Sequence, residues 1–325
     1  MKYSGIGGQA LLEGIMMKNM DNYAVAVRKP DGEIVVEKDT YVSLTEKVKF
    51  FSLPFIRGVF NFADSMILGM KTLTWSAEFF EDGEEEEEPG KIEKWLIDKF
   101  GEKLEDMIMS AVMALSVVMA IGIFMILPML ISNVFRMFIK SDTIMAVLEG
   151  CIRIGIFVTY IKLISRMEDI KRTFMYHGSE HKCINCLEHG LELNVENVMK
   201  SSKEHKRCGT SFLLIVMMIS ILFFMVVRVE TIWLKMLSRI ILIPVIAGIS
   251  YEVLRLAGRS NSKIMDIISK PGMMMQGLTT LEPDEKMAEV AIAAVEAIFD
   301  WRAYLEENFP EKYPEGYFKK AEAEE

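Results

Sequence analysis

Side chains able to coordinate a metal ion are concentrated in one short stretch of the chain. All four histidines lie between positions 177 and 205, and three of the four cysteines lie between positions 183 and 208. The stretch begins with His177-Gly-Ser-Glu180-His181 and ends with His205-Lys-Arg-Cys208. Imidazole nitrogens and thiolate sulfurs are the ligands that zinc prefers in proteins. The stretch is therefore the part of the sequence that points most directly to chemistry.

The order His177-x-x-Glu180-His181 has a specific geometric meaning on a helix. Residues four positions apart lie about one turn apart, so the two imidazoles can reach a single ion. Glu180 falls on the same helical face. The order is the inverted zincin pattern, in which two histidines hold zinc and the glutamate acts as general base. It predicts Glu180 as a catalytic residue.

The remaining metal ligands are left open by the sequence, although zinc is the divalent ion expected. With His177 and His181, either His205 or Glu188 as third ligand and a water in the fourth position would form a catalytic site. His205 and Cys208 as third and fourth ligands would instead form a closed structural site. The plain alternative is a polar cytoplasmic loop with surface histidines.

Cys183 and Cys186 form a Cys-x-x-Cys pair inside the same stretch. On a helix they point away from His177 and His181. A single pair of this spacing is weak evidence for a metal site. A cytosolic location also disfavours disulfides.

The hydropathy pattern predicts a mainly α polytopic membrane protein with about four transmembrane helices. Residues 107–135 and 208–227 contain no charged side chain, and each run is long enough to cross a bilayer. Residues 144–165 and 231–253 are weaker candidates, because they carry charges. The lipid bilayer is thus the expected environment.

The distribution of basic residues predicts the topology. Eight lysines and arginines lie in the segment 166–207, so this segment should face the cytoplasm. The connections 136–143 and 228–231 should lie outside, and both termini inside. The expected location is the cell's inner (plasma) membrane, with the metal site on the cytoplasmic face.

The sequence divides into seven expected segments. They are a β-rich N-terminal unit (1–50), an amphipathic interfacial helix (51–80), an acidic linker with a lead-in helix (81–106), transmembrane helices 1–2 (107–165), the His/Cys segment (166–207), transmembrane helices 3–4 (208–257) and a helical cytoplasmic C-terminal segment (258–325). In the first, Pro30-Asp31-Gly32 between two strand-like runs predicts a β-hairpin. The glycines at positions 5, 7, 8 and 14 are expected in turns. The acidic runs are expected to be solvated, and no pattern indicates nucleic-acid binding.

Three charged residues fall inside the weaker spans. Glu149 and Arg153 are four positions apart, and Arg239 should lie at similar depth. A charge in hydrocarbon must be paired or functional. An internal ion pair is one interpretation, and a polar path for an ion or substrate, as in a transporter, is the other.

Four strings of residues resemble the YqhQ-type family of bacterial membrane proteins over most of the chain. They are Gly7-Gly-Gln-Ala-Leu-Leu-Glu13-Gly, Tyr176-His177-Gly-Ser-Glu180-His181-Lys, His205-Lys-Arg-Cys208-Gly-Thr-Ser-Phe and Gln276-Gly-Leu-Thr-Thr-Leu-Glu282-Pro. The resemblance implies a membrane protein with a suspected metal site and a predicted metal-dependent enzyme activity. It supplies no substrate.

Two functional hypotheses follow from the sequence. The first is a metal-dependent hydrolase acting on a peptide or amide at the membrane surface, with the interfacial helix and Glu13 shaping the pocket. The second is a non-enzymatic membrane scaffold or assembly factor with a structural metal site. A membrane protein partner or a second copy of the chain is the expected macromolecular partner.

Overall fold

Helices account for most of the chain, and one small antiparallel sheet lies near its N-terminus. The computed structural model describes residues 1–80, 103–227, 229, 231–259 and 262–319. The mainly α architecture predicted from hydropathy is confirmed. Most of the expected acidic linker and lead-in helix, residues 81–102, lies outside the described residues.

The sheet has four strands in the order β1 (Ile6–Leu11), β2 (Gly14–Asn19), β3 (Asn22–Arg28) and β4 (Ile34–Thr40). All neighbouring strands are antiparallel, and β3 pairs with β4 across the predicted hairpin. The expectation of turns at the N-terminal glycines was wrong for three of them, because positions 7, 8 and 14 lie in strands. Pairing with β2 supplies the backbone hydrogen bonds that local strand propensity does not indicate.

Twelve α-helices are found in the described residues. They are α1 (Leu44–Lys47), α2 (Ile56–Ala77), α3 (Lys103–Ile121), α4 (Leu127–Val134), α5 (Asp142–Ile164), α6 (Glu168–Glu188), α7 (Val195–Lys200), α8 (Gly209–Val226), α9 (Ile232–Arg259), α10 (Lys263–Thr279), α11 (Glu285–Ile298) and α12 (Trp301–Asn308). A π-helical turn, Gly122–Ile126, continues α3 into α4. The His/Cys segment is thus largely helical.

Within the residues that the structure describes, four helical segments are long and apolar enough to cross a membrane. They are Ser110–Met137, Asp142–Ile164, Gly209–Val226 and Trp233–Gly258. Their large aliphatic side chains are widely exposed at the protein surface, as expected where the surrounding solvent is lipid. The predicted number of spans is confirmed.

The described residues form two compact units. The first comprises residues 1–80, 161–219 and 240–319, and the second comprises residues 103–160 and 220–239. The core of the first unit joins the sheet to α6 and α11, with Ile15, Met17, Ile184, Val290 and Ala294 among its buried side chains. This core holds α6, the helix that carries the histidine pair, in a fixed position.

Candidate metal centre

His177 and His181 lie one turn apart on α6, as the spacing predicts. Their ring centroids are 4.5 Å apart, and the rings meet edge to face. His181 is buried, while His177 is partly accessible. The pair therefore has one side within the protein and one side that a small molecule can reach.

Backbone carbonyls orient both imidazoles. His177 Nδ1 lies 2.9 Å from the carbonyl oxygen of Thr279, and His181 Nδ1 lies 2.7 Å from that of Lys203. A carbonyl only accepts hydrogen bonds, so each Nδ1 must carry the proton. Each Nε2 is then the ring nitrogen left to bind a metal, the arrangement typical of metal-ligating histidines.

Cys208 completes the group. It directly precedes α8, its Sγ lies 3.3 Å from His177 Nε2, and the Thr210 N–H donates to the sulfur at 3.4 Å. One ligand atom from each of His177, His181 and Cys208 lies within 4.8 Å of the other two. The start of a helix is also where the backbone dipole favours a negatively charged ligand.

These separations suit a tetrahedral zinc ion. Zn–N and Zn–S bonds of about 2.0 and 2.3 Å place neighbouring tetrahedral ligands roughly 3.3–3.6 Å apart. The distance of 3.3 Å between Cys208 Sγ and His177 Nε2 agrees with that range. Two imidazoles and one thiolate also form a donor set that zinc accepts. The residues present therefore fit the metal that the sequence predicts.

Glu180 lies beside this group in a nearly dry environment. Burial raises the pKa of the Glu180 carboxyl, while the charge of His177 and the backbone N–H of Gly8 act to lower it. A buried carboxyl with a raised pKa is a candidate for accepting and releasing a proton.

Gly8 in β1 makes the position of Glu180 possible. A Cβ atom at Gly8 would lie 2.9 Å from the Glu180 carboxyl carbon and 2.8 Å from the Met16 carbonyl oxygen. No side chain fits there without displacing one of them. The strand and the carboxyl are therefore in direct contact because residue 8 is glycine.

We expect Gly8→Ala to push Glu180 away from β1 and to destabilise the protein by about 1–3 kcal/mol, the usual cost of overpacking. Thermal unfolding in detergent measures this change. Gly7→Ala is the matched control, because a Cβ at Gly7 meets nothing within 4 Å. Equal unfolding temperatures for the two variants would show that the contact at Gly8 is unimportant.

The structure does not bring His205 and Glu188 into the three-residue group. His205 Nε2 lies 3.5 Å from Glu188 Oε2, and the His205 and His181 ring centroids are 5.7 Å apart. Glu188 follows His181 by seven residues, about 10 Å along the helix axis, so its carboxylate cannot reach the same ion.

Glu188 instead anchors a buried polar network. Its Oε1 accepts hydrogen bonds from Arg207 at 2.5 Å and from the N–H and hydroxyl of Ser4 at 3.0 and 2.9 Å. Burial acts to raise the pKa of Glu188, but the hydrogen bond from His205, the charge of Arg207 and the Ser4 N–H together lower it to about 2. The carboxylate is charged and fixes His205 and Arg207, which directly precede Cys208.

Gln276 holds the backbone of His205. The His205 N–H donates to Gln276 Oε1 at 2.9 Å, and Gln276 Nε2 donates to the His205 carbonyl at 2.7 Å and to Ser211 Oγ at 2.9 Å. Residue type alone does not identify Gln276 and Thr279 as residues that position the candidate ligands. Both belong to the string Gln276-Gly-Leu-Thr-Thr, so the family-like motif was the available signal.

The other residues singled out in the sequence have structural contacts. Glu13 forms a salt bridge with Arg172, in which Arg172 Nη2 lies 2.5 Å from Glu13 Oε2. Glu13 also accepts a hydrogen bond from the Tyr176 hydroxyl, and both partners lie on α6. Cys183 and Cys186 are buried in the core beside the sheet. Burial raises the pKa of both thiols, for Cys186 to about 12.

A cavity of about 470 Å³ adjoins this region within the first unit. Gly7, Gly8 and Gln9 of β1 line one part of it, and Asp64 and Tyr251 line another. Gly8 lines the cavity and also contacts Glu180, so strand β1 lies between the cavity and the candidate base. The volume lies within the range of small-molecule sites.

A protein family and a bacterial protein are similar in sequence to the part of the chain that contains the candidate metal centre. A sequence model of the DUF1385 family, described as a protein of unknown function, matches residues 53–301. The chain is 32% identical over 313 residues to the uncharacterized protein YqhQ of Bacillus subtilis (strain 168), which covers 93% of this chain and 94% of that protein. No solved structure gives a significant match. The matched range includes His177, Glu180, His181 and Cys208.

Proposed function

The chain belongs to the DUF1385 family, and from the geometry of its His/Cys group we propose that it is a membrane-embedded, zinc-dependent hydrolase. In this proposal His177, His181 and Cys208 hold the metal and Glu180 is the general base. The observation that supports it most strongly is the pair of Nδ1 contacts to backbone carbonyls, which leave both Nε2 atoms free as ligands. His205 and Glu188 support the site through the polar network around Arg207.

A group of three protein ligands favours catalysis over a purely structural role. Structural zinc sites are closed by four protein ligands, whereas catalytic sites keep one position open. A divalent ion held there would act as a Lewis acid that polarises a carbonyl and activates a water. Glu180, buried and with a raised pKa, would take the proton from that water and pass it to the leaving group.

The substrate class that suits this chemistry is a peptide or amide near the membrane surface. The exposed apolar side chains of α2, including Phe62, Met66 and Ile67, suit a helix lying in the interface. By the positive-inside rule, the basic residues of segment 166–207 support a location of the centre on the cytoplasmic face of the plasma membrane.

The first test is the metal content of the detergent-purified protein, measured by mass spectrometry. We expect near-stoichiometric zinc in the native chain and in Glu180→Gln, and a loss of about a hundredfold or more in affinity in His177→Ala, since removing one ligand costs several kcal/mol. His189→Ala is the matched control, because His189 lies on the same segment but its Nδ1 contacts only the Asn185 carbonyl.

Activity is tested on a mixture of labelled peptides presented with detergent micelles. Glu180→Gln should retain metal and lose cleavage by about 10²-fold or more, the typical contribution of a general base. A native chain that binds no zinc, manganese or iron after loading would rule out the hydrolase. Equal cleavage by the native chain and Glu180→Gln would rule out the role of Glu180.

A structural metal site in a scaffold protein is the second candidate. It is favoured by the way the centre ties α6 to two distant segments through the carbonyls of Lys203 and Thr279. In that case metal removal should lower the unfolding temperature, whereas Glu180→Gln should leave both metal content and binding partners unchanged.

A further inference from the structure

A second polar site lies in the other compact unit, among the apolar helices. A cavity of about 390 Å³ is lined by residues from the C-terminal ends of α4 and α8 and from the N-terminal ends of α5 and α9. Its charged lining residues are Arg136, Asp142, Glu149, Lys235 and Arg239. Under the proposed topology these helix ends lie on the outer side of the membrane.

Among the residues that the structure describes, the charges in this cavity and beside it do not balance. Arg136 pairs with Asp142 at 2.5 Å. Glu149 is shared between Arg153 at 2.9 Å and Arg239 at 2.5 Å. One carboxylate thus serves two guanidinium groups, which leaves one positive charge in excess. The sequence predicted a simple internal ion pair, whereas the structure shows one carboxylate shared by two guanidinium groups.

Lys235 adds a second excess charge. It lies one helical turn before Arg239 on α9 and lines the same cavity. Among the residues that the structure describes, it forms no ion pair. Uncompensated charge within a span is costly, so a site with two such charges is expected to attract an anion.

The guanidinium groups of Arg153 and Arg239 are held in place, and one N–H group of Arg239 has no acceptor among the described residues. Arg153 Nη1 donates to Ser220 Oγ at 2.8 Å, and both guanidinium carbons lie over the Phe224 ring, 5.2 and 4.9 Å from its centroid. Arg239 is only 3% exposed. Within the described part of the chain, its buried Nη1 has no hydrogen-bond acceptor.

We propose that this cavity binds a phosphate monoester group through Arg239 and Lys235. A monoester phosphate carries about −1.5 to −2 charges at neutral pH, which matches the two excess positive charges better than a carboxylate does. Its oxygens would accept from the free Arg239 donor and from the Lys235 ammonium, both of which suit phosphate. The group belongs either to a lipid headgroup, as in phosphatidic acid, or to a small soluble phosphate.

The test uses the full chain and two probes. Inorganic phosphate is measured by equilibrium dialysis in neutral detergent, and phosphatidic acid by its retention after reconstitution in phosphatidylcholine vesicles. Lys235→Gln should weaken binding about tenfold, the loss expected for one charge-assisted hydrogen bond. Lys235→Arg should restore most of it. Lys162→Gln is the matched control, an exposed lysine at the opposite end of α5.

The outcomes separate the sources of the phosphate group. Saturable binding of inorganic phosphate that weakens only in Lys235→Gln supports a soluble ligand, and selective loss of phosphatidic acid supports a lipid. Absence of both, or equal losses in Lys235→Gln and Lys162→Gln, would overturn the proposal. Arg239→Gln is a poorer primary variant, because it also breaks the pair with Glu149. Zinc content should be the same in all four proteins, so failure here would not bear on the hydrolase.

Discussion

Gly178→Ala is expected to destabilise the protein by about 3 kcal/mol or more, at the upper end of overpacking costs. A Cβ atom at Gly178 would lie 1.9 Å from the Leu281 carbonyl oxygen, a backbone atom that cannot rotate away. The Leu281 N–H is also bonded to the Phe174 carbonyl at 2.9 Å, so α6 and this segment are clamped together. Separating them would shift the Thr279 carbonyl that orients His177.

The measurement is thermal unfolding in detergent, together with zinc content. A loss of this size corresponds to a fall of roughly 6–12 °C in the unfolding temperature. Gly277→Ala is the matched control: it lies on the exposed side of α10, a Cβ there meets nothing within 4 Å, and alanine favours helix. If Gly178→Ala unfolds no earlier than Gly277→Ala and retains zinc, the close contact is not needed.

Glu188→Gln is expected to destabilise the protein by about 3 kcal/mol, because removing one partner leaves the other charge of a buried pair uncompensated. The charge lost would be the partner of Arg207, which holds the chain beside Cys208. Glu196→Gln is the matched control. It removes the same charge from an exposed pair with Lys200 and should cost less than about 0.5 kcal/mol.

The pH dependence of the same variant gives an independent check. The folded-state pKa of Glu188, about 2, lies below its unfolded value of about 4.3. The carboxylate therefore stabilises the fold above about pH 4.3, and this contribution is lost as the pH falls toward 2. The native chain should lose stability over that window more steeply than Glu188→Gln. Parallel curves for the two proteins would show that the network contributes nothing.

Much of the fold follows from local patterns in the sequence. The four charge-free or nearly charge-free runs, the hairpin around Asp31 and the helical C-terminal segment correspond to elements of the structure. These patterns depend on hydrophobic period and turn residues, which act over a few neighbouring positions. The strands β1 and β2 were expected only as part of a β-rich unit, because the glycines of β1 and the first residue of β2 give little local strand signal and the two strands pair with each other.

In the candidate metal centre, too, one part of the arrangement follows from local sequence and the other part depends on tertiary contacts. The spacing of His177, Glu180 and His181 was sufficient to place them on one face of α6, because helical geometry is local. The nearness of Cys208, and the separation of His205 and Glu188 from the pair, depend on contacts between residues far apart in the chain. Such contacts follow from how helices pack and which buried polar groups find partners, and no single segment of the sequence contains that information.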